Sequence, residues 1–332
     1  MQNISRKKFL HSFGTVIAGS AIAGVSGVVI KNNLQKDGLV LEANRAQSPA
    51  NNGSVSPYKQ VAAFSVDGAI EAFEQYESRL YVSTVNAISA YDDYGKRLSQ
   101  FSVKYGITRD IAVDREGVWL LRPTSILLYS FEGELIREWA ACSELSDYCS
   151  FTLAEDFVFV TDRENKNMAK YTREGGFVKF IDSPNRFIIP SLTFGIEYAN
   201  GLIYCSNSGR HQIEVYTLGG EYEGKFGSPG GGAGAFCGCC NPVHLTSTPT
   251  GEIITCEKGN PRVSCYGSDG KFRGILLDSR ILGGGYAAYE AKISEDKIFA
   301  AGKDMITSYV YDKLLAATGD CAGCGIDCKL RG

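Results

Sequence analysis

Histidine is almost missing from this chain: there are three in 332 residues, His11, His211 and His244. A Ser-His-Asp triad or a histidine-rich metal centre therefore has little to draw on. No G-x-S-x-G elbow and no H-E-x-x-H occurs either. The run Gly227 to Gly234 lacks the Gly-Lys-Ser/Thr of a phosphate loop, and cysteines rather than a helix follow it. Charge of one sign is also lacking: the net charge is −3, which excludes a general attraction to nucleic acid. Proline is scarce at 9 residues, whereas glycine reaches 38 and tyrosine 18. Glycine and aromatics with few helical stretches favour an all-β chain, and the length allows a full core.

The N-terminus has the layout of an export signal, a basic segment followed by a moderately apolar one. Ser5-Arg6-Lys7-Lys8-Phe9-Leu10-His11 resembles the twin-arginine box, with lysine in place of the second arginine. The apolar stretch Phe13 to Ile30 is 18 residues long, enough to serve as a general secretory signal or a retained anchor as well. Residues 1–43 are thus expected to be a signal peptide or N-terminal anchor. They would place the protein in the periplasm or another extracytoplasmic space, with membrane attachment if the leader is kept. Residues 44–57 are polar and read as a linker.

Beyond residue 58 the chain repeats. Tyr91, Tyr129, Tyr171, Tyr216, Tyr266 and Tyr311 mark the third strand of successive units, with spacings of 38, 42, 45, 50 and 45. Turns such as Asp92-Asp93-Tyr94-Gly95, Phe131-Glu132-Gly133, Arg173-Glu174-Gly175 and Ser268-Asp269-Gly270 follow them with hairpin chemistry. Four short strands per period of about 40–45 residues is the propeller signature. Leu202-Ile203-Tyr204-Cys205-Ser206 with Gln212-Ile213-Glu214-Val215-Tyr216, and Glu252-Ile253-Ile254-Thr255 with Arg262-Val263-Ser264-Cys265-Tyr266, resemble NHL repeats. The resemblance spans residues 58–312 and implies a six-bladed β-propeller while saying almost nothing about function. The sixth unit has only three strands, so Gln60 to Val66 is expected to supply its fourth and close the ring. Propeller lactonases and amidating lyases use acids, Asn and His around a central metal. Asp110, Asp162 and Glu257 are the acids to weigh for that, and each reads more simply as a turn or solvent-facing residue.

The 50-residue spacing contains an insert, Gly227 to Phe236, that runs into Cys237-Gly238-Cys239-Cys240-Asn241-Pro242 between two blades. Its glycines would allow close approach to a bulky ligand. The tail, 313–332, carries Cys321, Cys324 and Cys328 in C-x2-C-x3-C spacing. C-x2-C suits zinc knuckles and iron–sulfur sites, and all-thiolate ligation without histidine suits an iron–sulfur cluster better than zinc. Cys237, Cys239, Cys240, Cys321, Cys324 and Cys328 are therefore the candidate ligands, with His244 a rare fourth ligand or an inner-strand residue. Structural disulfides and loose thiols are the alternatives. Neither cluster holds four thiolates, and the tail starts on the face opposite Cys237. Eight residues separate Asp312 from Cys321, about 3.3 Å each when extended, just enough to cross the ring. Cys142 and Cys149 are a candidate disulfide, Cys256 and Cys265 a buried pair expected to face each other across a hairpin, and Cys205 a core residue.

The functional expectation is an exported redox or electron-transfer component that meets an envelope protein or redox partner through its loop face. A docking scaffold with structural disulfides and a propeller hydrolase or lyase are the other readings.

Overall fold

The structure, a computed structural model, describes residues 56–285, 288–294 and 296–313. The expected leader, nearly all of the linker and the tail cysteines Cys321, Cys324 and Cys328 lie outside the described residues. No helix among the described residues is long and apolar enough to cross a membrane.

The chain enters with β1 (Tyr58–Ser65). Blade 1 follows as β2 (Ala72–Tyr76), β3 (Arg79–Thr84), β4 (Ala87–Tyr91) and β5 (Arg97–Ser102). Blade 2 is β6 (Asp110–Asp114), β7 (Gly117–Arg122), β8 (Ser125–Tyr129) and β9 (Leu135–Ala140). Blade 3 is β10 (Tyr148–Ala154), β11 (Phe157–Asp162), β12 (Asn167–Thr172) and β13 (Phe177–Ile181). Blade 4 is β14 (Ile196–Ala199), β15 (Leu202–Asn207), β16 (Gln212–Thr217) and β17 (Tyr222–Phe226). Blade 5 is β18 (His244–Ser247), β19 (Ile253–Glu257), β20 (Arg262–Tyr266) and β21 (Phe272–Leu277). Blade 6 has β22 (Glu290–Ile293), β23 (Lys297–Ala301) and β24 (Met305–Tyr311), and β1 completes it by pairing antiparallel with β24. Five sheets are four-stranded meanders and the sixth is a three-stranded meander extended by β1, giving an all-β six-bladed β-propeller whose last blade is closed by the N-terminal strand.

Each third strand ends at or one residue beyond its tyrosine, as the repeat predicts. In blades 1, 2, 3 and 5 the ring of that tyrosine packs on an aromatic of the preceding blade's outer strand. Phe64 meets Tyr91 at 5.4 Å between centroids, Phe101 meets Tyr129 at 6.0 Å, and Phe226 meets Tyr266 at 5.3 Å. The turn glycine after the third strand sits over the same aromatic. Gly133 has φ +92°, and a Cβ there would lie 2.5 Å from Phe101. The repeated turn glycine thus serves two ends: it adopts a left-handed conformation, and it lets the neighbouring blade's ring close in.

The first strands β2, β6, β10, β14, β18 and β22 touch one another around the central axis. Antiparallel alternation puts the connections between blades and the turns between second and third strands on one face, called here the loop face. The chain leaves β24 on the other face, where Asp312 N donates to Pro57 O at 2.7 Å.

Candidate functional site

Cys237, Cys239 and Cys240 lie on the loop face, in the connection from β17 to β18. The insert before them is pinned at its far end by Phe236, which is fully buried and packs on Tyr266 at 5.8 Å. Its backbone closes on itself, with Phe236 N donating to Ser228 O at 2.8 Å and Gly230 N to Phe236 O at 3.0 Å. Gly227 serves this internal fit, since a Cβ there would lie 2.5 Å from the Phe236 ring, whereas one on Gly232 would meet nothing within 4 Å. Below the insert, Arg262 grips the buried Glu257 carboxylate with Nε–Oε1 at 2.6 Å and Nη2–Oε2 at 2.8 Å. The same guanidinium donates to the carbonyls of Gly232 and Ala235.

The cysteine turn is clamped by Asn241. Its Nδ2 donates to Cys237 O at 2.7 Å and Lys258 O at 2.9 Å, and its Oδ1 accepts from Lys258 N at 3.0 Å. From the other side, His211 Nε2 lies 2.5 Å from Gly238 O. This frame holds Cys239 Sγ 3.3 Å from Cys240 Sγ. Cys239 is exposed and Cys240 is buried. Burial works to raise the Cys240 thiol, but hydrogen bonds from Lys258, Cys239 and Ser191 and the Lys258 charge outweigh it and bring it below the usual thiol range. Cys239 moves the other way, raised first by its contact with Cys240. Cys237 has Glu257, Arg262 and Asn241 for neighbours and is raised by burial.

The channel at the axis is strongly polar. Its walls carry Glu74, Asp110, Ser150, Thr152, Glu197, His244, Glu290 and Lys292, one or two from each inner strand, around a cavity of about 50 Å³. Lys292 is buried, with Nζ 2.9 Å from Glu74 Oε2 and 3.4 Å from Glu290 Oε1. Burial disfavours its charge, but Glu74, Glu290, Asp110 and Glu197 together hold it well above the usual lysine range. Asp110 accepts from Ser150 Oγ at 2.5 Å and Phe151 N at 3.1 Å, and Glu197 from Ser247 Oγ at 2.7 Å. A built-in ammonium and serine hydroxyls thus take up the charge that a bound metal would otherwise meet.

Burial pushes Asp110 up to about 6 and Glu197 up to about 7, and it also raises Glu290. It pushes His244 down to about 4. A carboxyl raised on folding contributes stability that is complete below about pH 4 and lost as pH rises through its folded value. His244 acts oppositely, contributing above about pH 6.5 and losing that contribution toward pH 4. Three carboxyls outweigh one histidine, so the protein should melt higher at pH 5 than at pH 8. Asp110→Asn and Glu197→Gln should each remove on the order of 1–2 kcal/mol from that difference, with screening in a polar channel allowed for. Urea denaturation at both pH values measures it. An unchanged slope in the double variant would sink this account.

Solved structures similar to this one include propellers. No protein-family model matches the chain, and no curated protein matches it in sequence. A catalytically inactive virginiamycin B lyase from Staphylococcus aureus, solved with quinupristin, superposes with a TM-score of 0.56 at 14% identity, covering 76% of this chain and 99% of that one. A streptogramin B lyase gives 0.52 at 16% identity, covering 76% and 97%. A protein of unknown function from Bacteroides thetaiotaomicron VPI-5482 gives 0.54 at 12%, covering 78% and 72%. The likeness is one of fold. It agrees with the six blades that the repeat spacing implies, while the narrower NHL resemblance rests on sequence features alone.

Of the six candidate ligands, the turn brings Cys239 and Cys240 together. Among the described residues no group of three or more His, Cys, Asp or Glu side chains is placed to hold a metal ion. A four-thiolate cluster is therefore not furnished by the described residues. His244 opens an inner strand and faces the channel rather than the cysteine turn. Cys142 is exposed and Cys149 buried, both as thiols, and burial pushes Cys149 up to about 12. Cys205 is fully buried in the core, as expected. Cys256 and Cys265 are both buried but do not oppose each other: Cys256 pairs with Val263 and Cys265 with Ile254. The turn is centred between Gly259 and Asn260, one residue earlier than symmetric flanking assumes. Asp162 caps its turn by accepting from Asp147 N at 3.1 Å and Asn165 N at 3.2 Å. Glu257 forms the internal ion pair, and Asp110 lines the channel.

Glu74, Glu197, Glu290 and Lys292 were not singled out from the sequence. Superimposing the six first strands would have shown a charged or polar side chain recurring in apolar surroundings. A larger cavity, about 720 Å³, opens on the opposite face between Asp114, Glu116, Glu155, Phe157 and Arg173. There Arg173 pairs with Asp114 and Glu116, and Glu155 accepts from Tyr198 Oη at 2.9 Å.

Proposed function

We propose that this chain is an extracytoplasmic redox component, not a hydrolase, that works through thiolates on the loop face of the propeller. The Cys239–Cys240 contact of 3.3 Å beside Lys258 carries the reading. A thiolate is the reactive form both as a nucleophile and as a ligand for soft metals. Two sulfurs in contact, with Cys240 the one favoured as thiolate, suit two-electron dithiol–disulfide chemistry, and both together suit ligation of a soft metal. A thiolate-bound iron–sulfur cluster, or zinc in its place, would need Cys237 or the tail cysteines Cys321, Cys324 and Cys328 as further ligands, and would supply one-electron transfer or a structural tie respectively. A leader of twin-arginine type fits a site assembled before export.

The lyase reading that the fold neighbours suggest has less support. In the channel, Glu74, Asp110, Glu197 and Glu290 already have Lys292 or serine hydroxyls as partners.

The test is iron, zinc and acid-labile sulfide on protein purified without oxygen, together with native thiol counts before and after mild oxidation. Either metal, or a reversible loss of two thiols, is expected, and it should vanish in Cys239→Ser and Cys240→Ser. A wild-type protein with neither would overturn the reading.

A further inference from the structure

We infer that the Cys239–Cys240 pair exchanges a disulfide with the dithiol of a partner protein, Cys239 being the sulfur attacked and Cys240 the leaving thiolate that Lys258 receives. This rests on the reading of the turn as a thiol site and adds the partner class, the direction of attack and the role of a lysine.

The division of labour follows from exposure and contacts. Cys239 stands open to solvent, while Cys240 is 3% exposed and faces Lys258 and Ser191. An incoming sulfur therefore reaches Cys239. In the oxidised pair, a partner thiolate attacks Cys239 Sγ and forms the new S–S bond. The Cys239–Cys240 bond breaks, and its electron pair leaves on Cys240 Sγ. The Lys258 ammonium, hydrogen-bonded to Cys240, offsets the negative charge that collects on the departing sulfur. The partner's second thiol then loses its proton and attacks the partner sulfur of the mixed disulfide. Cys239 is released and takes up a proton. One disulfide and one dithiol enter, and one of each leaves. In the reverse direction the Cys240 thiolate, 3.3 Å from Cys239 Sγ, resolves a mixed disulfide carried by Cys239.

Lys258 is a positioning residue. It lies in the turn between β19 and β20, its backbone is clamped at both N and O by Asn241, and its Nζ donates to Ser191 Oγ at 3.4 Å. Loop, turn and cysteines are therefore one hydrogen-bonded unit, so the lysine keeps its place as the sulfur becomes charged.

The surroundings point to a protein partner rather than a small thiol. Ser191 is flanked on the same connection by Ile188 and Leu192, exposed at 45% and 43%. The other connections and turns of this face add Val85, Tyr105, Ile107 and Leu145. Of the exposed large apolar residues among the described ones that lie in turns, only Tyr94 is on the opposite face. Apolar side chains on the face that carries the exposed sulfur, with Ile188 and Leu192 on the connection tied to Lys258 through Ser191, fit a folded partner that presents its dithiol in an apolar setting.

The test uses the oxidised full-length protein, reduced thioredoxin as a dithiol-protein probe and dithiothreitol as a small dithiol. Reduction by thioredoxin should slow about ten-fold at pH 7 in Lys258→Gln, with the pH–rate profile of the exchange displaced, and recover in Lys258→Arg. Ile188→Glu with Leu192→Glu should slow thioredoxin severalfold and leave dithiothreitol unchanged. A thioredoxin variant lacking its second cysteine should be trapped on Cys239 of the wild-type chain by peptide mapping, which needs no altered residue here. Trapping on Cys240, or an unchanged profile in Lys258→Gln, overturns the proposal. A pair that cycles with dithiothreitol but ignores thioredoxin overturns it while leaving the thiol-site reading intact.

Discussion

Lys292→Met is expected to lower the unfolding free energy by about 3–5 kcal/mol at pH 8, the usual cost of removing one partner from a buried ion pair. Lys292 is 7% exposed and is the cation shared by carboxylates of blades 1, 2, 4 and 6. Without it Glu74 and Glu290 lose their salt bridges, and Asp110 and Glu197 lose a favourable charge. The freed carboxyls respond by holding their protons more tightly. A carboxyl raised in the folded state stabilises below its unfolded value and ceases to do so as pH rises through the folded one, so the deficit should shrink at pH 5. Glu74→Gln in the same background should recover part of the loss at pH 8. Urea denaturation at both pH values decides it, and a deficit under about 1 kcal/mol at pH 8 would mean that Lys292 is not the hub of the ring.

Arg262→Met should cost a similar amount, about 3–5 kcal/mol, for a related reason. Glu257 is fully buried, and its carboxylate is held in a two-pronged grip. The variant leaves that charge without its partner and also frees the carbonyls of Gly232 and Ala235. The loss should therefore come with faster proteolysis inside residues 227–236, just ahead of the cysteine turn. Glu257→Gln added to Arg262→Met should be milder than the single change, because no buried charge then remains. Denaturation and limited proteolysis read the two consequences separately. A destabilised variant with an unchanged cleavage rate in the insert would show that Arg262 supports blade 5 without holding the loop.

Much of the architecture was legible in the sequence because the repeat is local. A tyrosine ending each third strand and a glycine turn after it recur at near-even spacing, and each blade is a meander of short hairpins that few residues suffice to specify. The missing fourth strand of blade 6 could be anticipated by counting, and β1 fills it. The cysteine turn was legible as a cluster, and its place on the loop face followed from the strand count. Register was less accessible. The Cys256–Cys265 pairing was read one residue out because the turn's centre depends on its hydrogen bonds and not on symmetric spacing. That the glycine insert hydrogen-bonds to itself around the Phe236 ring was likewise not accessible from composition.

By itself, then, the sequence determined what depends on neighbours along the chain: an all-β propeller of six blades, its closure, and a thiol cluster between blades 4 and 5. Tertiary structure alone decided what depends on residues far apart. It joined Glu74 to Lys292 across 218 positions at the axis, and set Lys258 and Ser191 beside Cys240. It also left Cys239 open while burying its neighbour. Ring closure is what brings distant inner strands to one channel and distant loops to one face. Electrostatic and hydrogen-bond partners are fixed by distances of a few ångströms, which no one-dimensional spacing encodes.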